Sequence, residues 1–323
     1  MQYKHDLAWG CPIVVREALR ETLGKFLPNN FRTFDEMGYT PHCGSETLIE
    51  QLKFLAQRQS GHRPKHLIVT CGATGGINAA LSVLKDRETQ YVVTNKRYFP
   101  FYPEIIRIND LVQITNEERK QISSLGGSDD CFISLIDSPS NPEGLMSPFK
   151  NVDIWDNAYG AFHYSCGIHV PSKWKIMVGS LSKTLGLSGL RIGWVSTDDD
   201  NLAIFLNRYV TYSYCGLSAV SMDISEEILS VLDHSSFEMR AGGYLDDNRE
   251  ELQKLLDKFG QGSVPSTGMF AILQLGKIEK RALERAKVKY QPGSSWGEDD
   301  TWARLSLGQN REITRNAVKA ILK

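Results

Sequence analysis

Lys183 stands between two serines in "GSLSKTLGLSGLRIGW", residues 179–194, with Arg191 eight positions further on. The apolar run "WKIMVG" precedes it and another apolar stretch follows, so the chain is expected to carry the ammonium group inward, where an unpaired charge is costly. Two chemistries use a lysine placed like this. Ser180-Leu181-Ser182-Lys183 spells the S-x-x-K of serine acyl-transferases, in which serine is the nucleophile. That mechanism also calls for S-D-N and K-T-G, and the chain offers only "SDD" and "KTLG". The alternative makes the lysine amine itself the nucleophile that forms a Schiff base with an aldehyde, and burial favours it by lowering the ammonium pKa from about 10.4.

If that aldehyde is pyridoxal phosphate, several other groups must be present. A phosphate cradle is offered by "VTCGATGGINAAL", a strand followed by Gly72-Ala73-Thr74-Gly75-Gly76 and a helix start whose backbone amides favour negative charge. The same outline also describes a plain connection between strand and helix. Ser180 and Arg191 can complete the cradle as a hydroxyl donor and a charged fork. A carboxylate must keep the pyridine nitrogen protonated, and Asp156 in "IWDNAYG" ends an apolar run, with Tyr159 three residues on to meet the ring oxygen. An Asp there can equally be a turn or helix cap.

Asn141 in "IDSPSNPEG" is a turn-held amide that can donate to the same oxygen. Either Tyr98 or Phe99 in "RYFPFY" can stack on the ring, with core packing as the default. Arg304 lies inside the apolar pattern "WARLSL". Its planar fork suits a substrate carboxylate, and an internal salt bridge is the competing use.

The elements that must position these residues are legible as short β-rich runs: "HLIVT" (66–70), "YVVT" (91–94), "CFISLI" (131–136), "VDIW" (152–155), "WKIMV" (174–178) and "IGWVS" (192–196). They are continuously apolar, which predicts a mostly parallel sheet sandwiched by helices, an α/β domain. After about residue 235 the long amphipathic "LDDNREELQKLLDKF", then "MFAILQL" and "WARLSL", predict a smaller α+β domain. We therefore expect a large cofactor-binding domain over 40–235 and a small domain from 1–39 with 236–323, onto which the helix-like "PIVVREALRETLG" packs.

Thirty-seven basic and thirty-eight acidic residues nearly cancel, so no nucleic-acid partner is implied. No stretch is long and apolar enough for a membrane span, and "MQYKHDLAWG" lacks the apolar block of a secretion signal. Six scattered cysteines without a C-x-x-C pair suit free thiols, and the expected location is cytoplasmic. His163, Cys166 and His169 in "HYSCGIH" have metal-like spacing, but without a fourth ligand nearby a polar surface loop is the preferred reading and no metal is expected. Aromatics at 9, 98, 99, 212 and 214 hint at a pocket for a ring or long side chain.

In order along the chain, "DLAWGCP", "GYTPHCGSETL", "GATGG", "RYFPFY", "SNPEG", "DNAYG", "SLSKTLGLSGLRIGW", "PSTGMF", "QPGSSWG" and "ARLSL" resemble the aspartate-aminotransferase-like, fold type I pyridoxal-phosphate enzymes. The lysine segment looks most like histidinol-phosphate aminotransferases and threonine-phosphate decarboxylases, and "RYFPFYPEI" is similar to the alliinase and tryptophan-aminotransferase branch. The resemblance implies that Lys183 holds the cofactor, Asp156 pairs with its ring nitrogen, and Asn141 and Tyr159 bind its phenolic oxygen. Ala73, Thr74, Ser180 and Arg191 would hold the phosphate, and Phe99 would be the stacking candidate. Arg304, with Asn141 and Gly10, would meet the substrate. A homodimer is implied, with Tyr39 reaching the neighbour's phosphate.

The activity so implied is transfer of an amino group between an L-amino acid, or related amine, and a 2-oxo acid. Decarboxylation or β/γ-elimination on the same cofactor is the alternative, since fold does not choose the bond broken. A non-catalytic cofactor-binding regulator is a remoter one, and the N-terminal stretch shows no basic excess for a DNA-binding segment. Two departures from the family bear on the rim of the site. Only fifteen residues separate Asn141 from Asp156, which predicts an extended or single-turn crossover, and Ile49 stands where an arginine is common.

Overall fold

The computed structural model describes residues 3–8, 10, 12–24, 38–146, 149–160 and 171–323. Trp9 and the "HYSCGIH" group His163, Cys166 and His169 lie outside the described residues. The first elements are β1 (His5–Asp6), α1 (Ile13–Leu23), α2 (Glu46–Ser60), β2 (His66–Cys71), α3 (Gly72–Leu84) and β3 (Tyr91–Thr94). Then come α4 (Tyr102–Ile108), β4 (Val112–Thr115), α5 (Asn116–Ser124), β5 (Phe132–Asp137), β6 (Asn151–Asp156), β7 (Lys173–Ser180), α6 (Leu181–Thr184) and β8 (Ile192–Thr197). The chain continues with α7 (Asp200–Tyr214), α8 (Ala219–Val231), α9 (His234–Phe259), β9 (Gly262–Ser263), β10 (Phe270–Gln274) and α10 (Lys277–Arg285). It ends with β11 (Val288–Lys289), β12 (Gln291–Pro292), β13 (Trp302–Ser306) and α11 (Arg311–Leu322).

Among the described residues, seven strands form one sheet in the order β2-β8-β7-β6-β5-β3-β4. All neighbours run parallel except β8, which is antiparallel to both β2 and β7. The apolar runs are continuous because both sheet faces are covered. Leu67, Val69, Trp155, Met177 and Trp194 enter one apolar cluster, and Ile68, Ile154, Ile176, Val178 and Val195 enter the other. Burying each such side chain is worth roughly 1.5–3 kcal/mol, so the alternation pins every strand's register.

Strand direction then decides where chemistry can occur. β5, β6 and β7 end at one edge, in Asp137, Asp156 and Ser180, the edge at which open α/β sheets bind ligands. Because β8 is reversed, its first residues reach that edge too, with Gly193 opposite Ser180 and Ile192 opposite Cys71. Residues 138–150 join the parallel pair β5 and β6, and the described part of that connection contains no helix, in line with the short spacing from Asn141 to Asp156.

A second, antiparallel sheet runs β12-β13-β10-β9, and β1 pairs in parallel with β11. α9 is longer than its amphipathic half suggests. Asp233 caps it, and Phe237, Ala241, Leu245, Leu252 and Leu255 extend one buried stripe back to its start. Gly260 ends it in a left-handed conformation. The N-terminal segment is stitched to this part: Ser306 N–H donates to Leu7 O at 2.8 Å, Gln309 Nε2 to Asp6 O at 2.8 Å, and α1 packs on α9. Among the described residues no helix is long and apolar enough to cross a membrane.

Candidate active site

Ser180 both ends β7 and starts α6, its hydroxyl accepting the Ser182 amide at 3.1 Å and donating to Ile192 O at 3.2 Å. This short turn presents Lys183 at the sheet edge. Lys183 is half-buried rather than sealed inward as the flanking apolar runs suggest, because α6 is a single turn at the end of a strand and not part of its core. Its Nζ donates to Gly10 O, and it lies 5.9 Å from the centre of the Tyr159 ring. Gly10 thus lies against the lysine amine.

The glycine cradle is the first turn of α3 itself, not a loop before it. Gly72 adopts φ 67°, and a Cβ there would lie 2.5 Å from Arg191 Nη2. Its amide donates to Arg191 O at 3.0 Å. The amides of Ala73 and Thr74 follow in the first helical turn, where no intrahelical acceptor exists for them. Arg191 takes the left-handed φ 56°, which costs roughly 1–2 kcal/mol and turns its guanidinium to this helix start. There it donates to Ser188 O at 3.1 Å and Cys71 O at 3.5 Å. Hydroxyl, guanidinium and helix amides together form a donor set for a phosphate dianion.

Asp156 is 3% exposed at the end of β6. Tyr102 Oη donates to its Oδ2 at 2.7 Å and the Ala158 amide to its Oδ1 at 3.0 Å. Burial raises its pKa, an effect that a cation beside it would oppose by favouring the ionised form. Burial likewise pushes the neighbouring Asp137 up to about 7, with Asp156 adding to the effect. Asn141 Nδ2 donates to Tyr159 Oη at 2.9 Å, and Arg304 Nη1 donates to Asn141 Oδ1 at 2.7 Å.

Arg304 is 4% exposed and also donates to Ala8 O at 2.8 Å and Gln291 Oε1 at 3.1 Å. Its guanidinium lies over the Phe270 ring at 4.1 Å. Among the described residues no carboxylate pairs with it, and its Nε has no hydrogen-bond partner. The internal salt bridge is therefore not what keeps it buried. Burial lowers its pKa to about 10, which still leaves it cationic at neutral pH. A buried planar fork of this kind has the geometry to receive a two-oxygen anion.

The structure brings Lys183, Ser180, Arg191, Ala73, Thr74, Asp156, Tyr159 and Asn141 to one sheet edge, with Gly10 facing the lysine and Arg304 of β13 reaching Asn141 from the second sheet. Phe99 packs edge-on against Tyr102, the partner of Asp156, at 5.5 Å, whereas Tyr98 meets Gly297 and Trp296. Tyr39 is 90% exposed and outside this group. Of the other aromatics, Tyr212 is 83% exposed, whereas Tyr214 packs against the same apolar cluster as Tyr98 and Phe99 and its Oη donates to Gly75 O at 3.5 Å. Sequence reasoning passed over Tyr102, Asp137, Asn95, Gln291 and Phe270. The available signal was that two successive strands, "LID" and "IWD", each end in Asp.

The sequence matches the aminotransferase class I and II family over residues 2–321. The chain belongs to this family. Among its relatives, a probable aspartate/prephenate aminotransferase of Aquifex aeolicus is 24% identical over 335 residues, covering 88% of this chain and 82% of that one. Tryptophan aminotransferase-related protein 2 of Arabidopsis thaliana is 23% identical over 193 residues, covering 58% of this chain and 44% of that one. The chain thus spans about half the length of the tryptophan aminotransferase-related relatives it matches. A Thermus thermophilus aspartate aminotransferase variant complexed with tryptophan superposes with a TM-score of 0.76 at 20% identity, over 98% of this chain and 91% of that one. That likeness is one of fold, and it extends to the mostly parallel sheet flanked by helices.

Proposed function

We propose that the protein is a pyridoxal-phosphate-dependent aminotransferase that moves an amino group between an L-amino acid, or a related amine, and a 2-oxo acid. The observation that carries this is a reachable lysine amine on the same sheet edge as a buried carboxylate, joined by a buried arginine of the second sheet that has no acidic partner among the described residues. The donor set fits the cofactor: Ala73, Thr74, Ser180 and Arg191 for its phosphate, Asp156 for its ring nitrogen, and Asn141 and Tyr159 for its phenolic oxygen. Phe99, edge-on against the Tyr102 that holds Asp156, is the candidate for stacking on the ring. Bound there, pyridoxal phosphate supplies an aldehyde for amines and a cationic heterocycle that takes up electrons from the substrate's α-carbon.

Each side chain has a task the geometry allows. Lys183 Nζ would hold the cofactor, and the same amine could accept the proton from the substrate's α-carbon. Asp156 would pair with the ring nitrogen, whose positive charge would favour the ionised carboxylate against the upward pull of burial. Arg304 holds the substrate carboxylate, with Asn141 and Gly10 lining the same space. The proposal includes a large unit over 40–235 that carries the cofactor and a smaller one from 1–39 and 236–323. It also includes a homodimer in which Tyr39, exposed on its own subunit, completes the neighbour's phosphate site. The free thiols Cys43, Cys71, Cys131 and Cys215 suit a reducing cytoplasm.

Absorbance of the cofactor-loaded protein tests the reaction. Adding an amino acid without a 2-oxo acid is expected to bleach the visible band and to release one 2-oxo acid per bound cofactor. Ammonia or carbon dioxide in its place would replace transamination by elimination or decarboxylation. Arg304→Lys keeps the charge but loses the planar fork, so the KM for the amino acid should rise about 10- to 100-fold, with kcat changed far less. An unchanged KM in steady-state assays would remove Arg304 from the substrate site.

A further inference from the structure

Two carboxylates end adjacent strands side by side, since the parallel register pairs Asp137 of β5 with Asp156 of β6. Both are buried, Asp137 completely. Placing a second acid beside the first is costly, and the proposed chemistry uses only Asp156. Asp137 has both oxygens engaged: Oδ1 accepts Asn95 Nδ2 at 2.7 Å, and Oδ2 accepts the backbone amide of Asn141 at 2.7 Å. The side chain of that same Asn141 lies between Tyr159 and Arg304. A guanidinium can only donate, so the amide oxygen must face Arg304 and the amide nitrogen must face the phenol. One orientation of one residue thus sets the relation between the phenol and the guanidinium.

We propose that Asp137 is a positioning residue of this site: by accepting the Asn141 amide it holds that residue in the single orientation that serves Tyr159 and Arg304 together. The inference rests on the pyridoxal-phosphate reading, in which Tyr159 meets the cofactor and Arg304 the substrate. The titratable groups facing Asp137 are Asp156 from β6, Tyr102 from α4 and Tyr159 from the turn after β6. None of these is a cation that would give Asp137 an ordinary ion-pair role.

Asp137→Asn is the direct test, since an amide keeps one acceptor and turns an NH2 group toward the other donor. Two readouts should move together: the KM for the amino acid rises about tenfold, and the pH at which the bound cofactor changes colour shifts by about one unit. Asn141→Ala should shift the same two quantities, and the double variant should be no worse than Asn141→Ala alone. Fully additive effects, or a loss of thermal stability with both readouts unmoved, would overturn the proposal. If Asp137→Asn does not fold, Asn95→Ala removes one of the two donors that aim the carboxylate. It should give a smaller shift of the same sign in both readouts, and no shift would overturn the proposal equally. Native protein that takes up no pyridoxal phosphate would instead refute the function, a different result from native uptake with an indifferent Asp137→Asn.

Discussion

Lys183→Ala is expected to lower kcat by about four orders of magnitude, the upper range for removing a group that transfers a proton in the rate-limiting step. Two proposed roles are lost with one amine: the anchor for the cofactor and the base at the substrate's α-carbon. The fold should survive, because Lys183 is half-buried on a single-turn helix while its neighbours Leu181 and Leu185 fill the core. Borohydride treatment of the native protein followed by peptide mass measurement should fix the cofactor on Lys183 and nowhere else, and the variant should show no adduct. Retention of more than a small fraction of native kcat would mean that another group moves the proton.

The second large effect is at Asp156. Asp156→Asn preserves shape and leaves Tyr102 Oη and the Ala158 amide in place, but a neutral amide cannot offset a cationic ring. The buried setting makes this costly, since little water is present to replace the missing charge. We expect kcat to fall by about 10²- to 10³-fold, the range seen when one aligned electrostatic group is removed from a site. Cofactor affinity should fall with it. The discriminating measurement is the pH dependence of kcat beside the cofactor dissociation constant, and near-native values of both would show that Asp156 is only a turn residue.

The fold was legible wherever burial was two-sided or a stripe was long. Six apolar runs became six strands because both faces of the sheet are covered, and Leu245, Leu252 and Leu255 marked α9 correctly. β4 went unread because it is an edge strand, "VQIT", with an exposed first residue and polar neighbours. α5 went unread because it buries nothing, so apolar periodicity is silent there and only the capping box of Thr115 and Glu118 marks it.

The residue types of the site, and their order along the chain, were present in the sequence by itself: the lysine turn, the strand-end acid, the Asn-Pro amide and the buried arginine. These are local signals, each set by a few neighbouring residues. Which groups touch was decided by the tertiary structure alone. Tyr102 reaches Asp156 across 54 positions, Asn95 reaches Asp137 across 42, and Arg304 reaches Asn141 across 163. Such pairs depend on strand order, with β3, β5 and β6 side by side, and on the second sheet that brings β13 to Asn141. Hydrophobic burial along whole strands fixes both, and no short motif carries that information.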